Sequence, residues 1–195
     1  MSPNFRHKVE LTLGAALPAV PICELKAQSY IDDDSFDDLL SAYEQAACEY
    51  VETFTRRKIT QKQFNIYLGR FPEAGQFYFP FGPIASIESV HQLDDAGTWI
   101  EVDSSIYRLG RGDVVNQSIY LNGSNSWPAL LSSGGDLVRI SFTTSPTAPK
   151  AALQAVRLLV AHWWENREAS TSLNIKDVPM GVEMLLQSIK TYEAG

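Results

Sequence analysis

A chain of 195 residues with 45% apolar side chains is long enough for one sizeable domain, and its formal charge of −7 argues against a protein that grips nucleic acid by its phosphates, which requires clustered cations. Cys23 and Cys48 are too few for a disulfide scaffold or a thiolate zinc site, so a reducing cytosol is the expected setting. The most apolar early run, Val9 to Ile22, contains Pro18 and Pro21 and is too short to span a bilayer, so neither a signal peptide nor a transmembrane helix is expected.

Residues 1–20 lack a clear period and are predicted to form an extended arm. A short helix follows from about Pro21 to Tyr30, then an acidic run, Asp32-Asp33-Asp34-Ser35-Phe36-Asp37-Asp38. Beyond it Leu39, Leu40, Tyr43, Ala47, Tyr50 and Val51 follow i, i+3, i+4 spacing, the mark of an amphipathic helix. Ser35 with Asp38 resembles a capping box, and Arg56, Arg57 and Lys58 suit the negative end of the helix dipole.

From Thr60 the period changes to two. Phe64, Ile66 and Leu68 alternate with polar or amphipathic neighbours, as do Val138, Ile140 and Phe142, which predicts half-buried strands. Weaker strand signals lie at Gln76 to Phe79, Ile87 to Leu93, Trp99 to Val102, Ile106 to Leu109 and Ser118 to Leu121, several of them separated by turn sequences. Pro149 then opens a helix running to about Ser170, with Ala152, Val156, Leu159, Val160 and Trp163 on its apolar face. A last helix starts at Asp177-Val178-Pro179.

Strands and helices are thus segregated, which predicts an α+β fold. Its expected form is a helical bundle core from the N- and C-terminal helices, 21–58 and 149–195, with an inserted antiparallel β meander over 60–145. Residues 21–195 would be a single domain behind the arm.

No catalytic, cofactor-binding or metal-binding residue is predicted. The acidic run imitates a calcium loop from Asp33 to Glu44, but Asp38 stands where glycine is needed and the helical period has already begun, so helix capping is the expected role. His162 and Glu165 are neighbours on one helix, yet two ligands do not make a metal site. Cys48 falls off the apolar stripe with no histidine beside it in sequence, and Gly110 and Gly112 lack the third glycine of a dinucleotide fingerprint. The aromatics Phe77, Tyr78, Phe79 and Phe81, and Trp164, suit either a core or a protein interface.

Taken in order, several short stretches resemble the head-to-tail connector (adaptor) proteins of tailed bacteriophages and prophages. They are Leu25-Lys26-Ala27, Ile31 to Asp34, Asp38-Leu39-Leu40, Tyr50-Val51-Glu52 with Thr55, Phe81-Gly82-Pro83-Ile84, Ser86 to Val90, Tyr107-Arg108-Leu109, Trp127-Pro128, Ala161 to Glu168 and Pro179 to Glu183. The arm before Pro21 and residues 110–126 carry no part of the resemblance.

The resemblance implies a structural virion protein without catalytic residues, assembled host-side in the cytoplasm and resident in the virion. About twelve copies would form a ring beneath the portal protein, above tail or stopper proteins, lining part of the channel through which DNA passes without specific binding. Such a ring needs two different patches on each subunit. The expected interface residues are Leu158, His162 and Trp164 on the long helix, Phe77, Phe79 and Phe81 in the aromatic stretch, and Lys190 and Tyr192 in the C-terminal segment, which is similar to the part that reaches the portal. The alternatives are a tail-completion or tail-terminator protein and, in a different class, a metal-dependent enzyme or binding module using His162 and Glu165.

Overall fold

The period-two runs become strands, and one of them, the run at 138–144, takes the centre of the larger sheet. A computed structural model describes residues 7–15, 17–72, 75–112, 117–166 and 180–190. These divide into two compact units, one drawn from residues 7–15 and 61–145, the other from 17–60 and 146–190.

The first unit holds β1 (His7–Leu13), β2 (Gln63–Leu68), β3 (Gln76–Tyr78), β4 (Ile84–Leu93), β5 (Trp99–Glu101), β6 (Tyr107–Leu109), β7 (Ser118–Leu121) and β8 (Val138–Thr144). Every pairing is antiparallel, in a five-stranded sheet ordered β1-β2-β8-β4-β5 and a three-stranded sheet ordered β3-β7-β6. The expected meander is corrected here, because β8, the last strand in sequence, lies between β2 and β4. Val138, Ile140, Phe142, Thr143 and Thr144 are all buried, and a strand so covered is best satisfied with a partner on each edge. Turn chemistry fixes only local pairings such as β4–β5, where Gly97 adopts φ +79° and the Asp94 carboxylate accepts the Thr98 amide at 2.7 Å.

The inner face of the larger sheet buries Phe64, Ile66, Leu68, Val90, Ile140 and Phe142, and Phe77, Tyr107 and Ile119 of the smaller sheet complete the same core. Phe142 is fully buried, with ring centroids of Phe79 at 4.8 Å and Phe64 at 5.7 Å. Full burial of such side chains stabilises by about 1.5–3 kcal/mol each. Within the stretch read as an arm, His7–Leu13 forms an edge strand registered on β2, with Val9 packed against the core.

The second unit contains α1 (Ile22–Ser29), α2 (Asp37–Thr55), α3 (Lys150–Glu165) and α4 (Met180–Gln187). Leu25 of α1, Leu40, Ala47 and Val51 of α2, Val156 and Leu159 of α3, and Val182 and Leu186 of α4 share one buried cluster. Pro149 is the residue before α3, with ψ 144°, and not its first helical residue. Its carbonyl accepts the Ala152 amide at 3.0 Å, so the ring's missing N–H still costs the helix nothing. Arg157 ties α3 to α1 through its ion pair with Glu24. Cys48, expected off the apolar stripe, is 4% exposed and sits within the core, its Sγ 3.1 Å from Glu44 Oε1.

Two buried glutamates on α2 hold the chain on either side of that helix. Glu44 accepts the backbone amides of Ala19 at 2.8 Å and Val20 at 3.2 Å. Glu52 accepts the Ile59 amide at 3.1 Å and the Thr60 hydroxyl at 3.2 Å, and pairs with Lys58 at 3.0 Å. Buried carboxylates of this kind persist because their lone pairs are satisfied by fixed donors.

Candidate interaction surfaces

The acidic run is taken up by turn formation and ion pairing. Asp33, not Ser35, provides the cap: its carboxylate accepts the Ser35 amide at 2.8 Å and hydroxyl at 2.7 Å, opening a 3-10 turn over Asp34–Phe36 that leads into α2. Asx geometry of this type outcompetes a serine cap because a charged carboxylate accepts more strongly than a hydroxyl. The Ser35 bonds hold the Asp33 carboxyl below its ordinary value. Lys26 bonds Asp34 and, at 2.9 Å, Asp37, and these two carboxylates raise its ammonium above its ordinary value. Among the described residues no three His, Cys, Asp or Glu side chains converge as a metal site requires. Nor is any helix among them long and apolar enough to cross a membrane.

At the end of α3 the residues divide by what they touch. Trp163 and Trp164 pack against the helical core, Trp163 edge-on to Tyr43 at 6.0 Å and Trp164 edge-on to Phe36 at 5.0 Å. Leu158 is half-buried against the same core. His162 is half-buried, with Asn166 Nδ2 3.3 Å from its Nδ1 and also donating to its carbonyl at 2.8 Å, while Glu165 is exposed. The asparagine side chain thus closes the helix end over the histidine.

Within the aromatic stretch Phe77 is 7% and Phe79 is 2% exposed, and both belong to the β core. Strand alternation explains this: β3 turns Phe77 inward and Tyr78, 58% exposed, outward. Phe81 is half-buried, 4.9 Å from Phe64. In the C-terminal segment, Lys190 is half-buried with its Nζ 4.7 Å from the centre of the Phe54 ring, and Ile189 packs on the helical core. Tyr192 lies outside the described residues.

Sequence reasoning missed the outer face of the five-stranded sheet. One rung across it runs Lys8, Tyr67, Arg139, His91, Glu101, each the registered partner of the next. The Arg139 guanidinium lies 4.9 Å from the Trp99 ring centre, Tyr67 donates its hydroxyl to Glu10 at 2.9 Å, and the Lys8 ammonium is 5.8 Å from the Tyr67 ring centre. Arg139 Nε and His91 Nδ1 are buried without a hydrogen-bond partner among the described residues. Burial lowers the His91 pKa from its ordinary value, Arg139 lowers it further and Glu101 opposes the shift. Polar alternation marked these residues as facing outward, but only the pairing register aligns them.

No protein-family model matches the chain. No curated protein matches it. Solved structures do. The chain is similar to one from the "Neck of empty GTA particle computed with C6 symmetry", with TM-score 0.78 and 22% identity over 96% of this chain and 97% of that one. A chain of the "Virion of native gene transfer agent (GTA) particle" matches with TM-score 0.77 and 22% identity over 95% and 96%. A chain of the "Neck of native GTA particle computed with C12 symmetry" matches with TM-score 0.75 and 22% identity over 96% and 97%. The fold of this chain is thus shared, over nearly its whole length, with chains of gene transfer agent particles.

Proposed function

We propose that this chain is a head-to-tail connector of a phage-like particle, a structural virion protein that assembles as a ring beneath the portal and forms part of the DNA channel joining head and tail. The observation that carries the reading is the fold shared over 96% of the chain with a chain of a particle neck. The order of short stretches that resembles phage connectors supports it independently, as does the symmetry, C6 or C12, with which the similar necks were computed. The helical unit is the bundle core of the connector and the β unit its insertion. Its partners are copies of itself, the portal above and tail or stopper proteins below. The net charge of −7 suits a channel wall that does not hold the passing phosphate backbone, since like charges repel. Half-buried Leu158, His162, Trp164, Phe81 and Lys190 remain the candidate contacts of this assembly.

Electron microscopy of the purified protein mixed with its portal tests the proposal. A ring stacked on the portal is expected; particles with bare portals at stoichiometric excess of the chain would refute it.

A further inference from the structure

Among the described residues the five-stranded sheet ends in two edge strands with no further strand paired to them, β1 on one side and β5 on the other. An edge strand presents a row of unpaired backbone donors and acceptors, which natural proteins blunt or use for association. Resting on the ring proposed above, we infer that neighbouring copies join by these two edges, β1 of one copy adding to β5 of the next.

Three features fit the edges to each other. The first is charge. The rung described above begins with the exposed cation Lys8 and ends with the exposed anion Glu101, so a sheet continued in register from copy to copy sets Lys8 beside Glu101. The second is the distribution of apolar surface. On the opposite face β1 exposes Leu11, 53%, beyond core-packed Val9, and β5 exposes Ile100, 41%. Ile100 falls on the rung of Gln92, Val138, Leu68 and His7, so the exposed aliphatics Leu11 and Ile100 lie on one face and Lys8 and Glu101 on the other. The third is polarity. All four pairings between β1 and β5 are antiparallel, so the two edges run in the same direction and a copy-to-copy seam is a parallel pair. Unlike edges meeting head to tail make a heterologous contact, the kind that closes into a ring.

The seam places the Cα atoms of residues 8 and 101 about 5 Å apart, the spacing of adjacent strands. That distance lies inside the range of roughly 4.4–6.8 Å that a disulfide spans. The test uses the full chain with exposed Cys23 replaced, C23S, and with K8C, E101C or both added; Cys48 is buried. Each preparation is oxidised under assembly conditions with portal, run on a non-reducing gel, and imaged by electron microscopy.

The expected result is a ladder of covalent oligomers from the double variant. A mixture of the two single variants should give covalent dimers between unlike chains and nothing larger, and each single variant alone should stay monomeric on the gel. Rings in the micrographs without a ladder would overturn the edge pairing and leave the ring reading standing. Neither rings nor ladder would overturn both. Dimers from K8C alone would overturn the head-to-tail seam in favour of a symmetric contact.

Discussion

The carboxylate of Glu52 and the backbone amide of Ile59, seven residues apart, meet at 3.1 Å inside the helical unit. The same carboxylate holds Lys58 and Thr60, so one side chain fixes the turn by which the chain leaves α2. Glu52→Ala removes the acceptor of the buried Ile59 amide and one ion-pair partner of Lys58, and breaking a buried pair by removing one partner costs about 3–5 kcal/mol. Denaturant unfolding should therefore show a lower midpoint with an unchanged slope. A variant as stable as the parent would mean that the carboxylate is not buried and bonded as described.

Phe142 lies where both sheets meet, and Phe142→Ala removes a ring packed against Phe64, Phe79 and Phe81. Large-to-small changes of this type cost about 3–5 kcal/mol. Tyr78, one residue from buried Phe79 but 58% exposed, provides the contrast. Tyr78→Ser should change stability by no more than about 0.5 kcal/mol, as surface substitutions do. Equal effects at the two positions, in the same unfolding assay, would refute the inward placement of the stretch.

His91 makes the β unit sensitive to mild acid. Its pKa in the folded state lies below the ordinary 6.5, so between the folded value and 6.5 the unfolded chain binds more protons than the folded one. The sign follows: unfolding free energy is retained above 6.5 and falls as the pH drops through that window. Arg139 and Glu101 face the ring from the adjacent strands, and removing the imidazole leaves both in place. Unfolding of the parent and of His91→Gln at about pH 7.5 and about pH 5.5 should show a smaller acid loss in the variant. Identical losses would clear His91 of the effect.

Portal docking by the C-terminal segment is testable only with a cut that spares the core. Ile189 packs on the helical cluster and Lys190 covers the Phe54 ring, so a deletion beginning at Ser188 would confound docking with stability. Removing residues 191–195, which include Tyr192, spares both of these contacts, and the melting temperature of the shortened chain is the control for stability. Co-sedimentation with portal should weaken. Undiminished co-sedimentation would detach this segment from the portal contact.

What could be read from the text followed the reach of each signal. The helices α2 and α3 and the strands β2 and β8 announced themselves because their apolar period is local. The short strands β5, β6 and β7 fell close to their expected places, since turn residues bracket them. The central position of β8 was not legible, because it depends on pairings with β2 and β4 that lie far apart in sequence. Edge strand β1 was obscured by the prolines that follow it and by its mixed polarity. Glu44 and Glu52 stand on the stripe of Leu40, Ala47, Cys48 and Val51, where a charge ought to have been conspicuous. Their burial depends on the amides of Ala19, Val20 and Ile59, which no helical period announces. Phe77 and Tyr78 were grouped as one aromatic patch, although a period of two separates them.

The place of β8 also governs when the protein can become itself during synthesis. Until Thr144 has left the ribosome, β2 and β4 have only their outer neighbours, β1 and β5, and each offers an open edge to the other or to another nascent chain. The helical unit waits as well, because α1 and α2 cover their apolar faces with α3 and α4, which are made last. Such long-range closure slows folding. The β unit closes only once β8 is made and the helical unit only once α3 and α4 are, so a chain cut short before β8 leaves the facing edges of β2 and β4 open, and not a half-functional subunit.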